Sequence, residues 1–295
     1  MAYPTVSAPY GAKPLNLIGG QVFAGSTRNL PIQYGYATNI FYGDVVSITR
    51  GFVTRLAMTT GGSAATGAVG YGQVGIFLGC SYTNPSTKQK LFSQYWPSGT
   101  LAGDCQAIVT DDPDTVFKCA VVVTQGGTAI GSVSSAMIGL NIAASDLAGN
   151  LNTGNSSNGV LASSANTTAA LPWRIVDIVR DTAVSLGTAT WSSGTTTLTT
   201  SALPFALPVG TEVGFLASNG QYVGAANWVS TAATAGATSV VVNAQYGTVN
   251  AGGAAATATV IPASSTLVFT QYPEVLVKFN FGVHSYYNNT GTQTA

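Results

Sequence analysis

The side chains able to do chemistry are few and badly spaced for it. His284 is the only histidine, so any Ser–His or Cys–His nucleophilic pair has to use it. It stands in Phe279-Asn280-Phe281-Gly282-Val283-His284-Ser285-Tyr286, an alternating pattern that reads as a strand and gives a packed or interfacial histidine. Three cysteines, Cys80, Cys105 and Cys119, make neither a disulfide framework nor a CxxC zinc pair, and read as small buried apolar groups. The densest carboxylate cluster is Asp111-Asp112-Pro113-Asp114. Calcium takes about six to eight oxygen ligands, but the EF-hand spacing, its central glycine and its terminal Glu are absent here. Asp followed by Pro is turn chemistry, so a tight turn without metal is expected. No Walker loop, GxSxG elbow, HExxH or strand-borne GxGxxG occurs. Glycan hydrolysis needs paired carboxylates, and residues 183–273 carry one charged side chain, Glu212. The expectation is a chain with no catalytic site, no cofactor and no metal.

What must position these residues is a chain very poor in charge. Of 295 residues only 20 are Lys, Arg, Asp or Glu, or 7%, against about 25% in an ordinary soluble domain. Hydrophobic residues reach 46%, which excludes intrinsic disorder. The formal net charge is zero, which removes the basic surface that phosphate contacts require, so no nucleic-acid partner is expected. The best uncharged window, Ala120 to Ser145, is interrupted by Thr124-Gln125-Gly126-Gly127-Thr128 and by Ser132, Ser134 and Ser135. A spanning helix of about 20 apolar residues is therefore not expected, and no membrane partner either. Met1-Ala2-Tyr3-Pro4 lacks the basic patch and apolar run of a signal peptide, so no export signal is read, and the sequon Asn155-Ser156-Ser157 is taken as a chance match. A neutral surface of Ser, Thr, Asn, Gln and Gly associates readily. Most of it is expected to sit in a permanent assembly, as a homo-oligomer and specifically a trimer.

The chain reads as all-β: a sandwich or barrel-like main domain, a smaller inserted β domain and an extended N-terminal arm. Residues 1–16 form the arm, because Pro4, Pro9 and Pro14 forbid a regular helix while Tyr3 and Tyr10 are suited to anchoring on a surface. The main domain covers 17–182 plus 263–295. Its strand signals include 45–48, 51–57, 72–80 with glycines suited to a bulge, 106–109 and 116–123. Val133 to Leu140 reads as a short helix. Trp173 to Asp181 is a strand whose Arg174, Asp177, Arg180 and Asp181 are expected to pair with one another. The insert, 183–262, shows strand signals at 194–199, 207–215, 236–243 and 256–261. Charge returns at Glu274-Val275-Leu276-Val277-Lys278, so the strands on either side of the insert are expected to pair back together.

Several stretches resemble a family of tailed-bacteriophage virion proteins of the head-decoration or structural type. They are Leu15-Asn16-Leu17-Ile18-Gly19-Gly20, Asn39-Ile40-Phe41-Tyr42-Gly43-Asp44-Val45-Val46, and Val74-Gly75-Ile76-Phe77-Leu78-Gly79-Cys80-Ser81-Tyr82. Phe92-Ser93-Gln94-Tyr95-Trp96-Pro97, Asp111 to Phe117, Val277-Lys278-Phe279-Asn280 and His284-Ser285-Tyr286 complete the set, which covers a little under half of the chain. Residues 207–253 also resemble small β domains appended to phage structural proteins. The resemblance implies a virion location, no catalysis, and a cement protein that bridges capsomers, with the major capsid protein and its own copies as partners. Contact is then expected through Tyr3, Pro4, Pro9, Tyr10, Leu15 and Trp96. A tail-tube, tail-fibre or other virion role is the alternative. So is a host-glycan-binding β module, for which Trp191, Tyr222 and Trp228 supply aromatic surface.

Overall fold

A computed structural model describes residues 6–57, 72–131, 133–179, 182, 184–191, 196–216, 222–243, 267–271 and 273–287. In chain order the strands are β1 (Lys13–Leu17), β2 (Arg28–Pro31), β3 (Val45–Thr49), β4 (Phe52–Arg55), β5 (Gln73–Thr83), β6 (Lys90–Ser93), β7 (Gln106–Thr110), β8 (Thr115–Val122), β9 (Asn141–Ile142), β10 (Ala144–Ser145), β11 (Gly159–Leu161) and β12 (Trp173–Ile178). They continue with β13 (Val184–Trp191), β14 (Thr197–Thr200), β15 (Glu212–Leu216), β16 (Tyr222–Thr231), β17 (Ser239–Val242), β18 (Leu267–Gln271) and β19 (Glu274–Phe279). The all-β expectation holds, and no helix among the described residues is long and apolar enough to cross a membrane. The chain divides into a larger unit, Ala8–Ile130 with Gly139–Asp177 and Val275–Ala295, and a smaller one, Met1–Ser7 and Gly131–Ile138 with Ile178–Glu274.

The larger unit holds two sheets. One runs β2-β7-β5-β3-β4 with β6 added on β5. It curls, because Ile32 beyond β2 bridges Val53 of β4 and brings the two ends of the sheet together. Inside the curl, alternate side chains converge: Val46, Val53, Cys80, Ala107 and Val109, with Ile40 and Trp96 from the connections. A bulge between Phe77 and Gly79 turns Phe77 into the same core. Gly79 permits it: its φ is 144°, and a Cβ there would stand 2.9 Å from the Ser93 carbonyl. The second sheet runs β10-β11-β8-β19-β12-β9, with β1 beside β8. Its centre is an aromatic cluster, Phe117, Trp173 and Phe279, with ring centroids 5.0–5.7 Å apart. Val45 of the first sheet and Cys119 and Trp173 of the second line one small void between them, of about 10 Å³.

The N-terminal expectation needs correction. Of residues 1–16, the first five, including Tyr3 and Pro4, lie outside the described residues. Pro9, Gly11 and Ala12 are buried, and β1 pairs antiparallel with β8 from Lys13 to Leu17. The prolines forbid a helix as expected, yet an edge strand tolerates them: Pro14 lies at an irregularity in the β1–β8 register. Val133 to Leu140 is likewise no helix beyond a 3₁₀ turn at Ser135–Met137. Ser134 bridges Thr211 in the smaller unit's sheet, and Gly139, at φ 84°, ends the turn.

The smaller unit is a closed barrel, β13-β14-β17-β16-β15-β18, antiparallel throughout. Leu198, Leu207, Val213, Val229, Val240 and Val242 fill its core. β18, at 267–271, pairs with both β13 and β15, so the barrel runs on past residue 262 into chain expected in the main domain. The strand expected at 256–261 lies outside the described residues. β12 and β19 are sheet neighbours, and the Val179 amide donates to the Glu274 carbonyl at 3.0 Å. Arg174 is exposed and Asp177 half-buried on or beside β12, while Arg180 and Asp181 lie outside the described residues.

Candidate functional site

The most distinctive surface lies at one end of the larger unit, around the turn between β7 and β8 and the chain after β19. Asp112 Oδ1 accepts the Asp114 amide at 2.9 Å, the local closure that makes Asp-rich turns, and the Asp112 carbonyl accepts the Thr115 amide at 3.1 Å. Asp111 is buried and serves the fold: it accepts from the Tyr286 hydroxyl and pairs with Arg28, whose guanidinium also donates to Tyr286. Among the described residues no group of His, Cys, Asp and Glu is arranged to hold a metal ion. Because all three carboxylates are already engaged, Asp114 by the Lys278 ammonium at 3.4 Å, a chelator is expected to leave the melting temperature unchanged. A drop of several degrees in EDTA would show that the turn holds a cation.

The strand expected through His284 stops at Phe279. Asn280 breaks it: its side-chain amide donates to the carbonyls of Ala169 and Leu171, and its own carbonyl accepts the Val283 amide. The chain then turns back over Gln73, whose carbonyl accepts the Ser285 amide at 3.0 Å, and His284 is fully buried. Burial lowers the pKa of its imidazole. The turn carries Phe281, 69% exposed, stacked on the half-exposed Tyr287 at 4.5 Å, with Tyr286 beside them under the Arg28 guanidinium. Across the 111–114 turn stand Ile18, whose amide donates to the Asp114 carbonyl, and the exposed Val22 and Leu15. Large apolar side chains at this exposure lie outside the core.

A second exposed feature is the outer face of β5, β6 and β7. Phe92 is 80% exposed at the rim of an open groove of about 430 Å³, lined with Tyr42, Leu78, Gln94 and Ile108. Among the described residues β6 pairs with β5 alone, and its outer edge has no strand partner there. The three cysteines are buried and form no disulfide; burial, with Cys105 nearby, pushes the Cys80 thiol up to about 12, which removes it as a nucleophile at neutral pH.

The residues expected to make contacts are not brought together. Leu15 is exposed. Tyr10 is half-buried, with the ammonium of Lys13 4.5 Å from its ring centroid, and Pro9 is buried. Trp96 must be withdrawn from the contact list: it is fully buried, edge-on to Tyr82 at 5.6 Å, with its indole N–H donated to the Tyr36 carbonyl. A connection can bury a tryptophan when a distant segment closes over it, and here Ile40 bridges Trp96. On the barrel, Trp191 and Tyr222 belong to β13 and β16, and Trp228 of β16 is 44% exposed. Sequence reasoning missed Phe281, Tyr287 and Phe92 as surface. The available signal was Asn280 and Gly282, turn residues inside an apparent strand. No family model, no curated protein and no solved structure matches the chain.

Proposed function

We propose that the chain is a non-enzymatic structural protein of a tailed-phage virion, a decoration or cement protein that bridges neighbouring capsomers as a homotrimer, with the major capsid protein as its partner. The observation that carries this reading is the exposed aromatic end of the larger unit, Phe281, Tyr286 and Tyr287, on a chain with 20 charges in 295 residues. Such a surface suits permanent contact, in which obligate interfaces bury about 2,000 Å² or more and are apolar. The stretches that resemble the head-decoration type fall within the larger unit, and residues 207–253, which resemble small β domains appended to phage structural proteins, fall in the barrel, so the reading gives the adhesive role to the larger unit. The exposed Trp228 favours a second role for the barrel, stacking on a host-surface sugar.

Light scattering of the purified chain, followed by cosedimentation with particles lacking it, tests the first role. The expected result is an oligomer retained on particles, with retention lost in the double variant Phe281→Ser, Tyr287→Ser. A stable monomer at micromolar concentration that no particle retains would rule the reading out. A glycan array probed with wild type and Trp228→Ala tests the second role.

A further inference from the structure

The turn after β19 keeps the chain's single histidine where only the neutral ring fits. His284 is fully buried. Its Nδ1 accepts the Tyr286 amide at 3.3 Å, so the one proton of the neutral imidazole is on Nε2. Nε2 has no hydrogen-bond partner among the described residues, and the Val74 backbone lies near enough to the ring to favour its charged form. The ring lies against Phe279 at 5.1 Å, Tyr286 at 5.0 Å and Tyr287 at 5.8 Å. Charge reaches it from one side. Asp111 and Asp112, on the β7–β8 turn, favour a protonated ring; Arg28, at the start of β2, is paired to Asp111. β5 offers Gln73 and Val74, and β19 offers Phe279, none of them charged.

We propose that residues 280–287 form an acid-released latch: protonation of His284 removes the acceptor for the Tyr286 amide and frees the turn together with its Tyr286–Asp111–Arg28 contacts. An imidazolium carries N–H on both nitrogens, so Nδ1–H would meet the Tyr286 N–H with no lone pair between them. A cation at this depth also loses its hydration, which outweighs the attraction of the two carboxylates and holds the folded-state pKa below the ordinary 6.5. The sign follows from linkage. The open turn binds the proton more tightly than the closed one. The closed form therefore has its full stability above pH 6.5 and loses it as pH falls toward the folded-state pKa, with the opening constant rising by up to about tenfold per pH unit. Release rearranges the exposed aromatic surface, because Phe281, Tyr286 and Tyr287 all ride on the turn, and it uncovers Phe279.

The single histidine makes the test direct. In the full chain labelled with ¹⁵N-histidine, one imidazole reports its own protonation. The expected result is the Nε2–H tautomer at pH 7.5 and proton uptake with a midpoint below 6.5. Amide exchange at residues 285–287, corrected for intrinsic rates, should accelerate over the same window. In His284→Asn an amide oxygen can accept the Tyr286 N–H without titrating, and exchange should stay slow down to pH 5. A ring that titrates at or above 6.5, exchange that ignores ring protonation, or an asparagine variant that opens with acid like the wild type would each overturn the latch. If the variant does not fold, the two wild-type midpoints decide: coincidence supports the latch and separation overturns it.

Discussion

Asp44→Ala is expected to destabilise the larger unit by about 3–5 kcal/mol, the usual effect of removing one partner of a buried ion pair. Asp44 is fully buried behind Gly43. Its carboxylate accepts the Phe41 amide at 2.9 Å, Arg55 Nε at 3.0 Å, the Ser156 hydroxyl at 2.6 Å and the Asn158 side-chain amide at 3.0 Å. Burial pushes the Asp44 carboxyl up, while Arg55, Ser156 and the Phe41 amide pull it back. Arg55 passes the connection on, pairing with Asp146 as well. The N-terminal segment is pinned at the same node. The Ala12 amide donates to the Gly43 carbonyl at 3.0 Å, and Gly11 lies so close that a Cβ on Gly43 would stand 3.0 Å from its Cα. Deleting the carboxylate leaves donors from four places facing nothing, two of them more than a hundred residues away in sequence. Thermal melts should show a loss of roughly 6–20 °C. Asp104→Ala, at the exposed pair with Lys90, should leave the melt unchanged. A fall of only a degree or two for Asp44→Ala would mean that the network is idle.

The same residue shows what could be read from the chain. Gly43-Asp44 is legible as a turn before a β-branched strand, because turn chemistry is local. That its carboxylate organises the core is not legible, since Arg55, Ser156 and Asn158 come from strands and loops that only the fold assembles. Runs of β-branched and apolar residues bounded by turns mark β5, β7 and β8 for the same local reason. Trp96 and Phe92 illustrate the limit. Both stand in one aromatic run, and nothing within the run says that the first is core and the second surface; that depends on Ile40 closing over Trp96. In the barrel, Val184-Ser185-Leu186-Gly187-Thr188 and Leu267-Val268-Phe269-Thr270 are strands with small or irregular alternation. β18 is separated from β19 by only two residues, so the domain edge is marked by the return of charge at Glu274 and not by the end of a strand signal near residue 262. The C-terminal aromatics were misplaced because Phe-Asn-Phe-Gly-Val-His alternates well enough to hide a turn fixed by the distant Ala169 and Leu171 carbonyls.

Replacing residues 183–272 with a short Gly/Ser linker is expected to leave the larger unit folded. The two ends to be joined are already together: the Thr182 hydroxyl donates to the Glu274 carboxylate at 2.6 Å, and the Val179 amide donates to the Glu274 carbonyl. β12 and β19 are neighbours in the sheet and meet again at the far end, where the Asn280 amide donates to the Pro172 carbonyl at 3.0 Å. Antiparallel neighbours need only a short hairpin between them. Each unit also closes its own core. The barrel has no free edge and holds its own apolar cluster, while the aromatic cluster of Phe117, Trp173 and Phe279 lies wholly in the larger unit. The internal segment left uncovered is Gly131–Ile138, where Val133 and Ser134 are buried and Ser134 bridges Thr211. It should fray without unravelling its neighbours, because Ile130 bridges Val122 before it and the Gly139 amide donates to the Ile175 carbonyl after it. The truncated chain should therefore be soluble, keep a β-rich circular dichroism spectrum and melt cooperatively. It should also retain the acid-dependent behaviour of His284. Insoluble or non-cooperative product would mean that the larger unit depends on the barrel for its core, and that the strands flanking the insert do not suffice to close the sheet.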